Sequence, residues 1–215
     1  MYEQMPNIVM PVGKVTPSGV SLLGTCFLIN KPGWFVTASH IIQGIDSNLV
    51  VVIPDSDHIS KYQDTTNTQV KLMTAKVEKI DPVHDTAIIS IQSPVTSTVN
   101  ILGLDDTFVG TDIDLFGFPH ANFGRKVLTK QSADIGAKIL LDNSGVKVKH
   151  AVINMQTRPG QSGSPVFLKN SNKIIAILVG SYAPGNWGIK LGDIDPQTLH
   201  MTSHAVSSEY ILRML

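Results

Sequence analysis

The sequence predicts an all-β fold, either a barrel or a sandwich, on the basis of two patterns. Apolar residues occur in short runs or alternate with polar residues, and these runs are rich in Val, Ile and Thr, which favour strands. Glycine, proline, asparagine and aspartate separate the runs, and no amphipathic helical pattern intervenes before the C-terminus. Many short strands with frequent turn signals are typical of barrels and sandwiches.

The strand pattern recurs along most of the chain. The segments that carry it most clearly are 24–29, 33–39, 49–54, 70–80, 86–91, 112–118, 125–136, 147–155 and 173–181. The polar stretch 55–69 is expected to be a long surface loop. Only 205–215 departs from the pattern, and it predicts a helix capped by Ser207 or Ser208.

The composition limits the class of protein. A chain of 215 residues fits one domain or one architecture of two halves. A hydrophobic content of 42% with 16% charged residues allows a large core and argues against disorder. Lys plus Arg and Asp plus Glu both total 17, so no nucleic-acid or anionic-membrane partner is expected. No signal peptide or long apolar span is seen, which predicts a cytoplasmic protein, and the chain could be an excised domain.

The single cysteine, Cys26, excludes an intramolecular disulfide and any multi-cysteine zinc site. It is predicted to be a buried strand residue. The histidines His58, His84 and His120 lack the spacing of metal ligands. The sequence therefore predicts no metal and no other cofactor.

A serine flanked by glycines precedes an apolar run in 157–167. Gly160 and Gly163 permit a tight turn with exposed N–H groups. Ser162 on such a turn is a candidate nucleophile whose own backbone builds an oxyanion site. The alternative is an ordinary loop of glycine, serine and proline.

A nucleophilic serine needs a base and a carboxylate that orients the base. His40 follows an apparent strand that ends in small residues, and Asp85 lies just before the apolar strand 86–91. Taken singly, each is more often a structural residue. Together they give the order His, Asp, Ser of chymotrypsin-type enzymes.

Three blocks carry a resemblance to a known family: TASH at 37–40, DPVHDTAIISI at 81–91 and GQSGSPVF at 160–167. They resemble the motif blocks of trypsin-like serine peptidases. The similarity is greatest to the bacterial HtrA-like and glutamyl-endopeptidase-like branches, and GQSGS also resembles viral 3C proteases. The resemblance extends from about residue 20 to the C-terminus.

The resemblance implies two packed six-stranded antiparallel β-barrels with the active site between them and a C-terminal helix. The bounds it implies are about 1–100 for the first barrel, 101–204 for the second and 205–215 for the helix, all within one peptidase domain.

The implied function is that of a serine endopeptidase acting on protein or peptide substrates. His40 and Asp85 would lie on the first barrel and Ser162 on the second. The turn formed by Gly160, Gln161 and Ser162 would supply the oxyanion hole through the N–H groups of Gly160 and Ser162.

Gln161 departs from the pattern of animal trypsins. These carry an aspartate at this position, and it pairs with a new N-terminus after zymogen cleavage. Because Gln161 cannot form that ion pair, activation by N-terminal cleavage is not expected. Control is expected to act by another route, for which a regulatory partner or additional domains are candidates.

In the family, the residues six and five positions before the serine line the primary specificity pocket. In this chain they are Gln156 and Thr157. The other walls of the pocket are expected from Leu178, Val179, Gly180, Thr202 and His204. None of these side chains is a carboxylate, so an uncharged substrate side chain is predicted rather than arginine or lysine. His204 has two open interpretations, a polar pocket residue and a buried structural histidine.

Two rival functions were considered. An α/β-hydrolase has the order Ser, Asp, His, and Asp193, Asp195, His200 and His204 do follow Ser162. The chain lacks both the G-x-S-x-G elbow and the strand–helix alternation of that fold. The second rival is a catalytically silent protease fold retained as a binding or scaffold module.

Overall fold

The computed structural model describes residues 2–45, 47–182 and 202–215. The first half of the chain forms a closed antiparallel barrel with strand order β1-β2-β3-β6-β5-β4. Its strands are β1 (Val9–Thr16), β2 (Gly19–Leu28), β3 (Trp34–Ala38), β4 (Leu49–Ile53), β5 (Lys71–Asp81) and β6 (Thr86–Ile91). A short helix, α1 (Ser39–Ile42), follows β3 directly.

The second half forms another closed barrel. Its order is β11-β8-β9-β10-β13-β12, closed by the pairing of β11 with β12, and the short β7 adds to β12 in parallel. The strands are β7 (Asn100–Ile101), β8 (Asp112–Gly117), β9 (Thr129–Asn143), β10 (Val146–Ile153), β11 (Pro165–Leu168), β12 (Lys173–Tyr182) and β13 (Thr202–Ser207). A final helix, α2, spans Glu209–Leu212.

Alternation along the strands separates two cores in the first half. Cys26 and Leu28 of β2 point into the first barrel and pack with Phe35. Phe27, between them, faces outward and belongs to a second apolar cluster, together with Ile88 of β6. Because successive side chains of a strand point to opposite faces, both faces of these strands are covered. This explains why β6 is buried over most of its length.

The outward cluster of the first barrel is the interface with the second. Phe27 and Ile88 pack there with Phe116 of β8 and Phe167 of β11. The second barrel has its own interior, which includes Ile113, Leu115, Val166, Ala176 and Ala205. Burial of the shared face holds the two barrels together, since apolar area contributes about 25 cal/mol per Å² removed from water.

The all-β prediction and the paired barrels are confirmed. Neighbouring strands other than β7 and β12 are antiparallel in the described ranges, which contradicts the α/β-hydrolase alternative. The polar stretch 55–69 contains no strand, as expected for a surface loop. Cys26 is fully buried, as predicted, and burial raises the pKa of its thiol.

The helix predicted over 205–215 is shorter than expected. Ala205 and Val206 pair with β10 and β12, so the chain stays in the barrel until Ser207. Ser208 occupies the N-cap position of α2, but its hydroxyl donates to the carbonyl of Ile174 rather than capping the helix. Closure of the barrel needs the strand, and this tertiary requirement overrides the local helical pattern.

Candidate active site

His40 is held at the edge of the first barrel by the transition from β3 to α1. The backbone N–H of Ser39 donates to the carbonyl of Asp85 at 3.2 Å, which ties α1 to the loop before β6. Ile42, at the end of α1, is buried in the barrel interior. The His40 side chain remains 44% exposed, so its imidazole is anchored at the backbone and accessible at the ring.

Asp85 holds the imidazole of His40 through one carboxylate oxygen and the backbone beneath it through the other. Its Oδ2 lies 2.7 Å from Nδ1 of His40. Its Oδ1 accepts from the backbone N–H of His40 at 2.9 Å and from the hydroxyl of Ser39 at 2.8 Å. An ionised carboxylate only accepts, so Nδ1 carries the proton. Nε2 is thereby left as the acceptor, which is the tautomer a general base requires.

A second carboxylate nearby, at the end of β5, pairs with a different histidine. Asp81 lies with its Oδ2 2.6 Å from Nδ1 of His84. The ring of His84 stacks on Tyr210 at a centroid distance of 3.8 Å. Asp81 is therefore the partner of His84, and Asp85 is the carboxylate bound to His40.

The turn before Ser162 has each of its carbonyl groups engaged. Arg158 O accepts from the N–H of Gln161, and Pro159 O from the N–H of His120 at 2.6 Å. Gly160 O accepts from the hydroxyl of Thr25, and Gln161 O from the N–H of Ser164.

The N–H groups of Gly160 and Ser162, unlike those carbonyls, are not engaged by the backbone of the described residues. Within the described ranges, neither donates to a backbone carbonyl. Gly160 adopts a φ of +92°, and a Cβ there would lie 2.6 Å from the carbonyl oxygen of Phe118. These two N–H groups are therefore candidate donors for an oxyanion hole.

Contacts between the barrels bring this turn to the first barrel. The N–H of Thr25 in β2 donates to the carbonyl of Ser162 at 2.9 Å. Gly163, with a φ of +87°, lies so close that a Cβ would meet the carbonyl of Thr25 and the N–H of Ala38. Ala38 precedes His40 by two residues, so the serine turn packs against the end of β3 from which His40 follows. Among the hydrogen bonds of the described residues, none joins the side chains of Ser162 and His40.

Gln161 is fully buried despite its polar side chain. Its Oε1 accepts from the N–H of Arg158 at 2.7 Å, and its Nε2 donates to Oε1 of Gln131 at 2.6 Å. Its polar groups are therefore satisfied inside the protein without an ionic partner.

The residues predicted to line the specificity pocket are only partly brought together. Thr157 is nearly buried, and its hydroxyl lies 3.0 Å from that of Ser203, which also donates to the carbonyl of Met155. Ser203 lies in the segment 202–206 that was expected to supply a pocket wall, but only Thr202 and His204 were singled out there. The signal available was its place in strand 202–207, where it directly precedes His204.

Of five other predicted wall residues, three lie on β12, one lies on β13 and Gln156 follows β10. Leu178 packs its side chain in the second barrel's interior, and its backbone bonds the segment around Gly163. Gln156 is exposed, as is Thr202 at the start of β13, while Val179 and Gly180 are half-buried in β12. The backbone of β12 thus flanks the serine turn.

His204 lies on the other face of β13 from Ser203. It pairs directly with Val152 of β10, and residues opposite each other in antiparallel strands share a face. Burial lowers the pKa of His204, and its charge also lowers the pKa of His150, which is on the same face. Since Ser203 is the β13 residue in contact with Thr157, this arrangement favours a structural role for His204.

A groove of about 790 Å³ adjoins the cleft. Leu22 of β2 lines it, two residues before Gly24, where a Cβ would lie 2.9 Å from the carbonyl of Ser162. Phe123 and Arg125 also line it.

Other kinds of site find no support in the described residues. These ranges hold no group of three or more His, Cys, Asp or Glu side chains arranged to bind a metal ion. None of the helices in the same ranges has the length and apolarity to cross a membrane. Asp193, Asp195 and His200, which entered the hydrolase alternative, lie outside the described residues.

Comparisons with known proteins agree with the paired barrels. The family model described as a trypsin-like peptidase domain matches residues 24–177. A probable periplasmic serine endoprotease, DegP-like, from Rickettsia conorii is 23% identical over 177 residues, which is 82% of this chain and 32% of that protein. The chain thus spans about a third of that relative's length.

Solved structures share the fold. The MamO protease domain from Magnetospirillum magneticum superposes with a TM-score of 0.71 at 14% identity, covering 100% of this chain and 99% of the other. The HtrA-type protease AlgW with a bound decapeptide gives a TM-score of 0.68 at 15% identity, covering 96% and 62%. At these identities the likeness is one of fold.

Proposed function

Because the chain belongs to the trypsin-like peptidase domain family, we propose that it is a serine endopeptidase that hydrolyses peptide bonds of protein substrates. One observation carries the proposal: Asp85 binds Nδ1 of His40 at 2.7 Å, next to the strand end on which the serine turn packs. Ser162 is the nucleophile and His40 the base in this proposal. The peptide-bound AlgW structure supports a peptide substrate by analogy.

The proposed reaction uses groups of this chain alone. Nε2 of His40 takes the proton of the Ser162 hydroxyl as its oxygen attacks the substrate carbonyl. Asp85 stabilises the imidazolium that forms. The N–H groups of Gly160 and Ser162 stabilise the oxyanion, and one such donor contributes about 2.7–4 kcal/mol to lowering the barrier. His40 then returns the proton to the leaving amine, and water releases the acyl group by the same path.

Labelling with a fluorophosphonate probe tests the proposal. The native chain should be labelled, and Ser162→Ala and His40→Ala should not be. Ser164→Ala is the matched control, because its buried hydroxyl has no hydrogen-bond partner among the described residues and its loss should leave labelling intact.

The outcomes separate the candidate functions. Equal labelling of Ser162→Ala and the native chain would contradict the assignment of the nucleophile. A folded native chain that resists the probe and cleaves no peptide would favour the silent binding or scaffold module.

Substrate preference is the finer part of the proposal. The two hydroxyls of Thr157 and Ser203 are bonded to each other and to the backbone, and they provide no charge for a basic side chain to pair with. A desolvated cation without a partner is unfavourable, so peptides with arginine or lysine before the cut should be cleaved poorly. Profiling of a peptide library, with Ser162→Ala as blank, measures this. A dominant arginine or lysine preference would contradict it and implicate Asp193 or Asp195.

A further inference from the structure

Gln131 connects strand β9 to the serine turn through side-chain amides. Its Oε1 accepts from Nε2 of Gln161 at 2.6 Å, and its Nε2 lies 3.4 Å from the carbonyl of Gln156. Gln161 in turn accepts from the backbone N–H of Arg158 at 2.7 Å. The two glutamines therefore bridge both ends of the segment 156–161 and tie it to the barrel wall.

This bridge bears on the direction of the peptide groups in the turn. If the peptide between Pro159 and Gly160 rotated, its carbonyl would enter the cleft and the N–H of Gly160 would leave it. In the structure, the carbonyl of Pro159 is held by the N–H of His120, and Gln161 anchors the turn at its other end. A preorganised donor stabilises a developing oxyanion best because it needs no reorganisation during the reaction.

We propose that Gln131 is a positioning residue, which through Gln161 holds the turn with the N–H groups of Gly160 and Ser162 directed into the cleft. This inference rests on the proposed function for its catalytic consequence. Gln161 occupies the position at which trypsins carry an aspartate that binds a newly cut N-terminus. Here a neutral amide from β9 supplies the anchor, so the turn is ordered by the folded barrel itself.

Three variants test the bridge. Gln131→Met keeps the length of the side chain and removes both amide bonds. Gln131→Glu keeps an acceptor for Nε2 of Gln161 and loses only the donor to Gln156. Gln63→Met is the matched control. Gln63 is another partly buried glutamine, and its amide forms hydrogen bonds with the backbone N–H and carbonyl of Leu128, away from the turn.

Turnover and inhibition give the catalytic readout. Gln131→Met should lower kcat at least about tenfold with KM changed less than threefold, because removal of one oxyanion donor costs about 10²–10³ in kcat. The inhibition constant of a peptide aldehyde, whose adduct uses the oxyanion hole, should rise by a similar factor. Gln131→Glu should retain more activity than Gln131→Met, and Gln63→Met should match the native chain.

Hydrogen exchange of a peptide covering 156–164 gives a readout that needs no activity. Gln131→Met should exchange faster there than the native chain and Gln63→Met, at temperatures where thermal unfolding shows all three folded. Unchanged exchange, or an active variant with native kcat and aldehyde inhibition, would overturn the inference. If the native chain lacked activity, the proposed function would fail and the exchange result alone would decide the role of Gln131.

Discussion

Two histidine–carboxylate pairs involve the loop before β6, and their surroundings separate their roles. The side chain of His84 is 14% exposed and stacks on Tyr210, so its pairing with Asp81 joins the loop to the C-terminal segment. The side chain of His40 is 44% exposed at the cleft. Proton transfer requires access to substrate, so we assign the base to His40 on exposure as well as on geometry.

Replacement of Asp85 by asparagine should abolish most activity and preserve the fold. Asp85 has a φ of +50°, a conformation that asparagine tolerates better than most residues. An asparagine amide favours the wrong tautomer of His40, which costs about 10⁴ in turnover in the chymotrypsin-type example of this substitution. Steady-state kinetics measure the loss.

Asp81→Asn is the control for that prediction, because it perturbs the other pair and should leave turnover within about threefold of native. A loss below tenfold for Asp85→Asn would mean that Asp85 does not orient the base.

At the scale of the element, the serine turn depends on close approach between the barrels. Gly163 and Gly145 both have a φ near +85°. A Cβ at Gly163 would contact the carbonyl of Thr25 and lie 2.7 Å from Oγ1 of Thr37, whereas Gly145 has open space around it. The two positions therefore differ in crowding while they share backbone conformation.

Alanine substitutions at these two glycines should separate the cost of backbone strain from the cost of steric overlap. Gly145→Ala should cost about 1–2 kcal/mol of unfolding free energy, the usual penalty for the left-handed conformation. Gly163→Ala should cost about 1–3 kcal/mol more, because its Cβ forces facing backbone apart. Urea unfolding measures both, and equal losses would show that the barrels separate easily at this point.

The shared face of β10 and β13 carries two histidines that are sensitive to acid. Burial lowers the pKa of His150 and of His204 below the usual value of about 6.5. His204 and His84 lower the pKa of His150 further, while Asp85 and a bond to the carbonyl of Val148 oppose the shift. Each histidine is therefore neutral in the folded state at a pH where the unfolded chain binds a proton.

Stability should fall as pH drops below about 6.5, since the unfolded state then binds more protons than the folded state. This destabilisation is absent above that pH and is complete below the folded pKa. His150→Asn keeps a donor for Val148 O, and its melting temperature should fall less than that of the native chain between pH 7 and pH 5. Thermal unfolding at each pH measures this, with parallel behaviour above pH 7.5 as the internal control. If the melting temperatures of the native chain and of His150→Asn fell in parallel below pH 6.5, the prediction would be contradicted.

At the scale of the whole molecule, the N-terminal segment Tyr2–Asn7 packs on both halves of the protein. The ring of Tyr2 lies 4.9 Å from that of Phe116 in the second barrel, and Met5 is buried in the cluster between the barrels. Burial, with a contribution from nearby Asp114, raises the pKa of Tyr2 to about 12. The segment thus stabilises the assembled cleft.

Deletion of residues 1–7 should destabilise the protein and should not activate it. Loss of Met5 alone removes about 1.5–3 kcal/mol of stabilisation that burial of its side chain contributes. Differential scanning calorimetry measures the drop in Tm. Intact-mass spectrometry of the probe-labelled species should find these residues present. A truncated chain that was more active, or labelling confined to a shortened form, would contradict the absence of N-terminal activation.

Much of this organisation could be predicted from the local pattern. The strands around Cys26, Phe35 and Ile88 follow from alternation, and His40, Asp85 and Ser162 were selected by the residue types that their chemistry requires. Strand β13 was underpredicted because its residues also fit a helix. Ser203 lay in the expected wall segment 202–206 but was not singled out, and Gln131 was not selected at all, since nothing in its neighbouring residues distinguishes it from an ordinary strand position.

The sequence by itself determined the all-β class, the candidate residues and the exclusion of an ionic anchor at Gln161, because these depend on side-chain chemistry and short-range periodicity. Only the tertiary structure shows that Asp81 pairs with His84, that Ser203 rather than His204 contacts Thr157, and that Gln131 bonds Gln161 in the serine turn. These outcomes depend on contacts between distant segments brought together by barrel closure. The faces and distances involved are set by strand register and by packing between the barrels, which local pattern does not encode.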